Sequence, residues 1–229
     1  MVQDMTPLVL IPGFMLDETL WDDFIDVYPP GQTFCRVSLG QEESIAGMAA
    51  GIVASLPERF VLAGFSLGGY VARAIAETAP EKVAGLVLIA TSLREDSYRQ
   101  RERLDAAVLS GEFRGISPAA IRHSLHPKFH DDTALLGRIR EMGKRLGPEV
   151  FRAQSLLKRG GITVRELTCP VLIIAAGEDR LRSLSEAAEL SELFRCPAEI
   201  IEGSGHMIPL EKPRELAQMI SNWISLNGL

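Results

Sequence analysis

The stretch from Phe60 to Ala79 constrains the fold more than any other part of the chain. An apolar run, Phe60 to Ala63, passes without a linker into Gly64-Phe65-Ser66-Leu67-Gly68-Gly69 and then into a helix-like run, Tyr70 to Ala79. A strand that turns this sharply into a helix forces strained backbone angles on the residue at the turn, and small residues on either side relieve the crowding. Gly-x-Ser-x-Gly meets that steric demand with Ser66 at its centre. Such a turn holds the serine oxygen clear of the backbone and in front of the free N–H groups that open the helix. Gly and Ser are common, so the weight of the pattern comes from the strand before it and the helix after it.

A serine in this position becomes a nucleophile if a histidine takes its proton and a carboxylate orients that histidine. The chain has four histidines. His123, His126 and His130 share a polar, Arg-rich stretch, whereas His206 stands in Gly203-Ser204-Gly205-His206, just after the apolar run Ala198 to Ile201. Asp179, in Gly177-Glu178-Asp179, directly follows the strand-like run Pro170 to Ala176. Loops at strand ends commonly carry catalytic groups, and three strand ends here offer Ser66, Asp179 and His206 in that order. Taken singly, each has a structural reading: a turn serine, a helix-capping aspartate, a loop histidine.

Four motifs in this order make the chain resemble the α/β-hydrolase family from Pro7 to nearly its last residue. Leu8-Val9-Leu10-Ile11-Pro12-Gly13-Phe14, with Trp21 shortly after, is similar to the family's strand and oxyanion loop. The serine turn, the Gly-Glu-Asp segment and Gly205-His206-Met207-Ile208-Pro209-Leu210-Glu211-Lys212-Pro213 follow in the family's order of Ser, Asp, His. The sequence departs from the pattern twice: Pro12 replaces the usual His before the first glycine, and Arg180-Leu181-Arg182 follows Asp179 where many relatives have an apolar residue and a proline. The resemblance implies an oxyanion hole made by the backbone N–H groups of Phe14 and Leu67, with no metal or organic cofactor.

Strand-like runs near 8–11, 33–38, 60–63, 84–90, 171–176 and 198–202 alternate with helical runs near 18–28, 42–56, 67–79, 184–194 and 213–226. This rhythm predicts a mainly parallel sheet of about six strands with helices on both faces, joined by right-handed crossovers. The family's first two antiparallel strands are expected to be missing, because only six residues precede Pro7. Between Thr91 and Leu167 the strand rhythm stops and helix starts appear at Ser117-Pro118, Asp132-Thr133 and Gly147-Pro148, with a break at Gly160-Gly161. We read 1–229 as a single domain and, by resemblance, 92–166 as a helical cap inserted over the serine, a spacer being the plainer reading. Its apolar residues Leu104, Val108, Phe113, Ile121, Leu125 and Phe151 would bury one face on the body and line an acyl pocket. From Arg94 to Arg165 there are 15 Lys or Arg and 9 Asp or Glu, a balance of +6, against −12 for the remainder. Such a charge excess is an ordinary solvated helix face, a basic cap docked on an acidic body, or a steering field for an anionic substrate.

Composition bounds the rest. With 229 residues and 46% hydrophobic residues the chain can fill one two-layered core. Three cysteines, Cys35, Cys169 and Cys196, have neither disulfide-framework nor zinc-ligand spacing and are expected as reduced, mostly buried thiols. A net charge of −6 opposes a nucleic-acid partner. Nothing at Met1-Val2-Gln3-Asp4-Met5 reads as a secretory leader and no apolar run reaches membrane-spanning length, so a soluble cytoplasmic protein without membrane partners is expected. The expected activity is that of a serine hydrolase cleaving a small-molecule ester through an acyl-enzyme. Thioester, lactone or carbon–carbon bond hydrolysis could run on the same three residues. A ligand-binding or signalling protein with a residual hydrolase site is the alternative of another class.

Overall fold

All six strand-like runs become strands. A computed structural model of the protein, describing residues 5–95, 115–159 and 167–229, has β1 (Leu8–Ile11), β2 (Phe34–Arg36), β3 (Phe60–Phe65), β4 (Val83–Ile89), β5 (Val171–Ala176) and β6 (Ala198–Ile201). They form one sheet in the order β2-β1-β3-β4-β5-β6, every pair parallel. The helices are α1 (Asp22–Val27), α2 (Ile45–Val53), α3 (Leu67–Thr78), α4 (Pro118–Ser124), α5 (Thr133–Leu156), α6 (Leu184–Phe194), α7 (Ile208–Glu211) and α8 (Pro213–Asn227).

Because a parallel sheet is covered on both faces, its central strands read as continuous apolar runs, and every residue of β1, β3 and β4 is buried. Alternate residues serve opposite cores. Leu8, Leu10, Val61, Ala63, Val87 and Ile89 pack with Phe24 of α1 and Leu216, Ile220 and Ile224 of α8. Val9, Ile11, Leu62, Leu86 and Leu88 pack with Met48 of α2, Val71 and Ile75 of α3 and Leu190 of α6. Each such aliphatic side chain contributes about 1.5–3 kcal/mol on full burial. A single residue of register slip would exchange the two sets.

Several expected elements are shorter or divided. The run 18–28 splits into a 3-10 turn, Glu18–Trp21, and α1, because the Asp17 carboxylate caps the turn by accepting from the Thr19 N–H at 3.0 Å. Expected helix 42–56 contracts to α2, whose start is set by the Ser44 hydroxyl accepting from Gly47 N–H at 3.0 Å. Helix α5 is interrupted at Gly147, with φ 79 and ψ 179, followed by Pro148, which has no N–H to donate. The predicted start there is thus a kink between two helical pieces. The Gly160-Gly161 break and Leu104, Val108 and Phe113 lie outside the described residues. All three cysteines are free and half-buried, more exposed than expected. No described helix is long and apolar enough to cross a membrane.

Residues 115–159 pack against the body through Ile121, Leu125, Ile139 and Met142, each 2% exposed or less. Charges cross the same junction: Arg138 meets Asp23 at 2.7 Å, and Arg145 meets Asp17 at 2.7 Å. Pairs with such exposed arginines contribute at most about 1 kcal/mol, so burial dominates the attachment.

Helix α3 lies so close to the sheet that Gly68 and Gly69 in its first turn tolerate no side chain. A methyl group on Gly68 would stand 2.5 Å from the Pro12 carbonyl oxygen and 2.6 Å from that of Ile11. Gly68→Ala is therefore expected to cost about 1–3 kcal/mol. Gly137, in α5 with open space around its α-carbon, should respond oppositely, and Gly137→Ala should stabilise by up to about 1 kcal/mol. Urea midpoints with unchanged m-values check both signs.

Candidate active site

Ser66 joins β3 to α3 with φ 52 and ψ −113, a left-handed conformation that L residues rarely adopt. Its backbone is pinned on both sides: the Ser66 N–H donates to Ile89 O at 2.9 Å, and the Ser66 carbonyl accepts from the Thr91 hydroxyl at 2.8 Å and the Gly69 N–H at 3.0 Å. These bonds hold a conformation that costs of order 1–3 kcal/mol. Beyond the carboxyl ends of β5 and β6 stand Asp179 and His206. Ligands bind at this end of open parallel sheets.

The structure brings the three residues into one line. Asp179 Oδ2 lies 2.7 Å from His206 Nδ1, and His206 Nε2 lies 2.9 Å from Ser66 Oγ. A carboxylate only accepts, so Nδ1 carries the proton and Nε2 is left to accept from the hydroxyl. The imidazole side chain is 5% exposed and the carboxylate 1%. Burial of Asp179 favours its neutral form, but the His206 imidazole and the N–H groups of Arg182 and Leu181, at 2.9 and 2.7 Å, outweigh it and hold the carboxyl below the usual carboxylate range. Glu178, adjacent in sequence, turns away and accepts from the Ser204 N–H at 3.1 Å. The arrangement can move a proton from the hydroxyl to an imidazole whose charge is then compensated by a buried carboxylate.

A second carboxylate organises the histidine loop. Glu211 accepts from Gly205 N–H at 3.0 Å and Met207 N–H at 3.0 Å, the two residues flanking His206, and from His126 N–H at 2.9 Å. Burial pushes its carboxyl up, while the three N–H groups favour the anion. The His206 N–H donates in turn to Ser124 O at 2.8 Å. Glu211 lies within the motif Gly205 to Pro213, five residues beyond His206, and that spacing is its signal in the sequence. His126 enters only through its backbone, and His123 lines the cavity described next.

A cavity of about 610 Å³ opens at Ser66 and His206, with Phe14, Met15, Ile121 and Phe151 among its walls. Phe14 ends the loop after β1, and its ring meets that of Phe151 edge-on at 5.9 Å. The next residue, Met15, has φ 54 and donates its N–H to the Gln154 side chain of α5 at 2.8 Å. Leu67 is the first residue of α3, where N–H groups lack intrahelical acceptors. Nothing in the sequence around Gln154 marks its contact. Among the described residues, no group of three or more His, Cys, Asp or Glu is placed to hold a metal ion.

Known proteins are similar to this chain along most of its length. A pimeloyl-[acyl-carrier protein] methyl ester esterase of Yersinia pseudotuberculosis is 26% identical over 226 residues, covering 94% of this chain and 80% of that protein. One of the same description from Pectobacterium carotovorum is 37% identical over 95 residues, which span 38% of this chain and only 37% of the relative. A thermophilic esterase from Thermogutta terrifontis, solved with malate bound, superposes with a TM-score of 0.77 at 25% identity, covering 97% of this chain and 90% of that one. The family model described as "Alpha/beta hydrolase family" matches residues 8–219. With that match over most of its length, on a six-stranded parallel sheet with helices on both faces, the chain belongs to the alpha/beta hydrolase family.

Proposed function

We propose that the chain is a serine hydrolase that cleaves a small carboxylic ester through an acyl-enzyme intermediate. The observation that carries this reading is the hydrogen-bond line from Asp179 through His206 to Ser66, at 2.7 and 2.9 Å, ending at the wall of a cavity. His206 takes the hydroxyl proton as Ser66 Oγ attacks the ester carbonyl, and Asp179 stabilises the imidazolium. The tetrahedral oxyanion faces the N–H groups of Leu67 and Phe14. Collapse expels the alcohol with the proton from His206, and a water molecule repeats the sequence to release the acid. Loss of one oxyanion donor would cost about 10²–10³ in rate. The described part of 92–166 supplies Ile121, His123 and Phe151 to the cavity wall, which supports its reading as a cap. The names of the similar esterases support ester hydrolysis.

A fluorophosphonate probe should label the wild type at Ser66, and Ser66→Ala should lose both labelling and roughly 10⁵ or more of ester turnover, with folding intact by circular dichroism. Full activity in that variant would remove the mechanism.

The two neighbouring carboxylates should separate. Asp179→Asn is expected to lower kcat by about 10⁴, because it leaves the imidazole in the wrong tautomer. Glu178→Gln still presents an oxygen to the Ser204 N–H and should have a mild effect. Steady-state kinetics on one neutral ester rank the two, and the reverse order would transfer the role to Glu178.

Asp179 also predicts an acid limb in stability. Its folded-state pKa is depressed, so its contribution is fully present above the unfolded value of about 3.9 and is lost as pH falls through the lower folded value. Denaturation midpoints measured downward from pH about 5 should fall more steeply for the wild type than for Asp179→Asn.

A further inference from the structure

One wall of the cavity is cationic. Arg159 and Arg182 line it together with Ser66 and His206, and among the lining residues there is no carboxylate. Their guanidinium carbons stand 5.7 and 5.9 Å from the centroid of one fully buried ring, that of Tyr70, which belongs to the first turn of α3 just after Ser66. A third guanidinium, Arg73, lies 4.9 Å from the same ring and is occupied with the Ser92 carbonyl at 2.9 Å.

Arg182 is the informative member. Its side chain is 10% exposed, and its Nε is buried with no hydrogen-bond partner among the described residues. Among the described residues its counter-charge is Glu186, but that contact is 3.4 Å long, well beyond the 2.7–2.9 Å of a good charge-assisted bond. The same carboxylate is already committed to the start of α6, accepting from the Ser183 N–H at 2.7 Å and the Ser183 hydroxyl at 3.0 Å. A guanidinium held out of water with an incomplete set of acceptors is costly to maintain. A planar carboxylate in the cavity, which Arg182 lines, would give this guanidinium a second counter-charge beside Glu186, since the fork of N–H groups matches that geometry. The remaining walls, Phe14, Phe65, Ile116 and Phe151 among them, suit an aliphatic chain between the ester and the charge.

From this arrangement we infer that Arg182, with Arg159 beside it, forms a carboxylate-recognising subsite, and that the substrate is an ester bearing a second, free carboxylate. The inference rests on the serine-hydrolase reading and adds the substrate class. The carboxylate stays intact in the reaction; only the ester bond to the leaving alcohol breaks.

The test compares mono-p-nitrophenyl adipate and suberate with neutral isosteres in which a methyl ketone replaces the free carboxylate. A bond to a charged group is worth enough to favour the acid by about ten- to a hundredfold in kcat/KM. In Arg182→Gln that ratio should collapse toward unity, and Arg182→Lys should restore part of it. High salt should lower the wild-type ratio. A ratio of unity in the wild type, or one that Arg182→Gln leaves intact, overturns the subsite. Should Arg182→Gln not fold, Arg159→Gln and the salt series read the same ratio. Calorimetric binding of adipate gives an answer independent of turnover: the wild type should bind it and Arg182→Gln should bind at least tenfold more weakly. No adipate binding by the wild type defeats the subsite even if neutral esters are hydrolysed. Binding without hydrolysis or fluorophosphonate labelling would uphold the subsite and defeat the hydrolase reading.

Discussion

The close contact between α3 and the sheet is the constraint on which the site geometry depends. Gly64 and Gly68 leave no room for a side chain where β3 turns back, and a methyl group on Gly69 would stand 2.5–2.6 Å from Thr91 carbon atoms. Only with those α-carbons bare can the helix begin immediately after the strand, and only that abrupt start holds Ser66 at φ 52. The local strain is supported by the strand pair β3–β4, every residue of which is buried. A rigid interior thus supports one unfavourable backbone conformation, and that conformation places the hydroxyl within 2.9 Å of the imidazole.

The histidine is fixed by a different device. Its loop has no regular structure, and four carboxylate or carbonyl acceptors take its place: Asp179 on the ring, Glu178 on Ser204, Glu211 on Gly205 and Met207, and Ser124 on the N–H of His206 itself. Each acceptor satisfies a donor that burial would otherwise leave costly. Asp179 belongs to this set and to the hydrogen-bonded line that runs through His206 to Ser66, so its low pKa has one origin in the ring and another in the backbone of Leu181 and Arg182.

Much of this was legible in the sequence because its signals are local. The four central strands announced themselves by apolar runs, and Ser66, Asp179 and His206 by their places after three strand-like runs; the structure brings those three together. Helix ends were blurred because capping bonds such as Asp17 to Thr19 and Ser44 to Gly47 decide them, and several residue types compete for such roles. Glu211 could have been suspected from its distance to His206, but its partners include His126, which only the folded chain brings near. The contacts of Gln154 with Met15 and of Arg182 with the Tyr70 ring were invisible, since each spans more than a hundred residues. The charge imbalance was visible as a sum, whereas its partners were not: Arg138 and Arg145 pair with Asp23 and Asp17 of the body, adding little to an attachment that burial dominates, and Arg182 lies outside the basic stretch altogether.

Glu211 has one further consequence, for attempts to exchange parts between relatives. One oxygen of its carboxylate is shared by Gly205, in the histidine loop, and His126, in the segment that returns to β5. A methyl group on Gly205 would stand 2.6 Å from the Leu125 carbonyl carbon. The strip 124–126 therefore belongs mechanically to the histidine loop, even though by chain order it lies in the segment between β4 and β5. A chimera that transplants that whole segment would change the footing of the imidazole along with the pocket. Graft boundaries drawn outside that strip, leaving Ser124, Leu125 and His126 native, would keep the two separable.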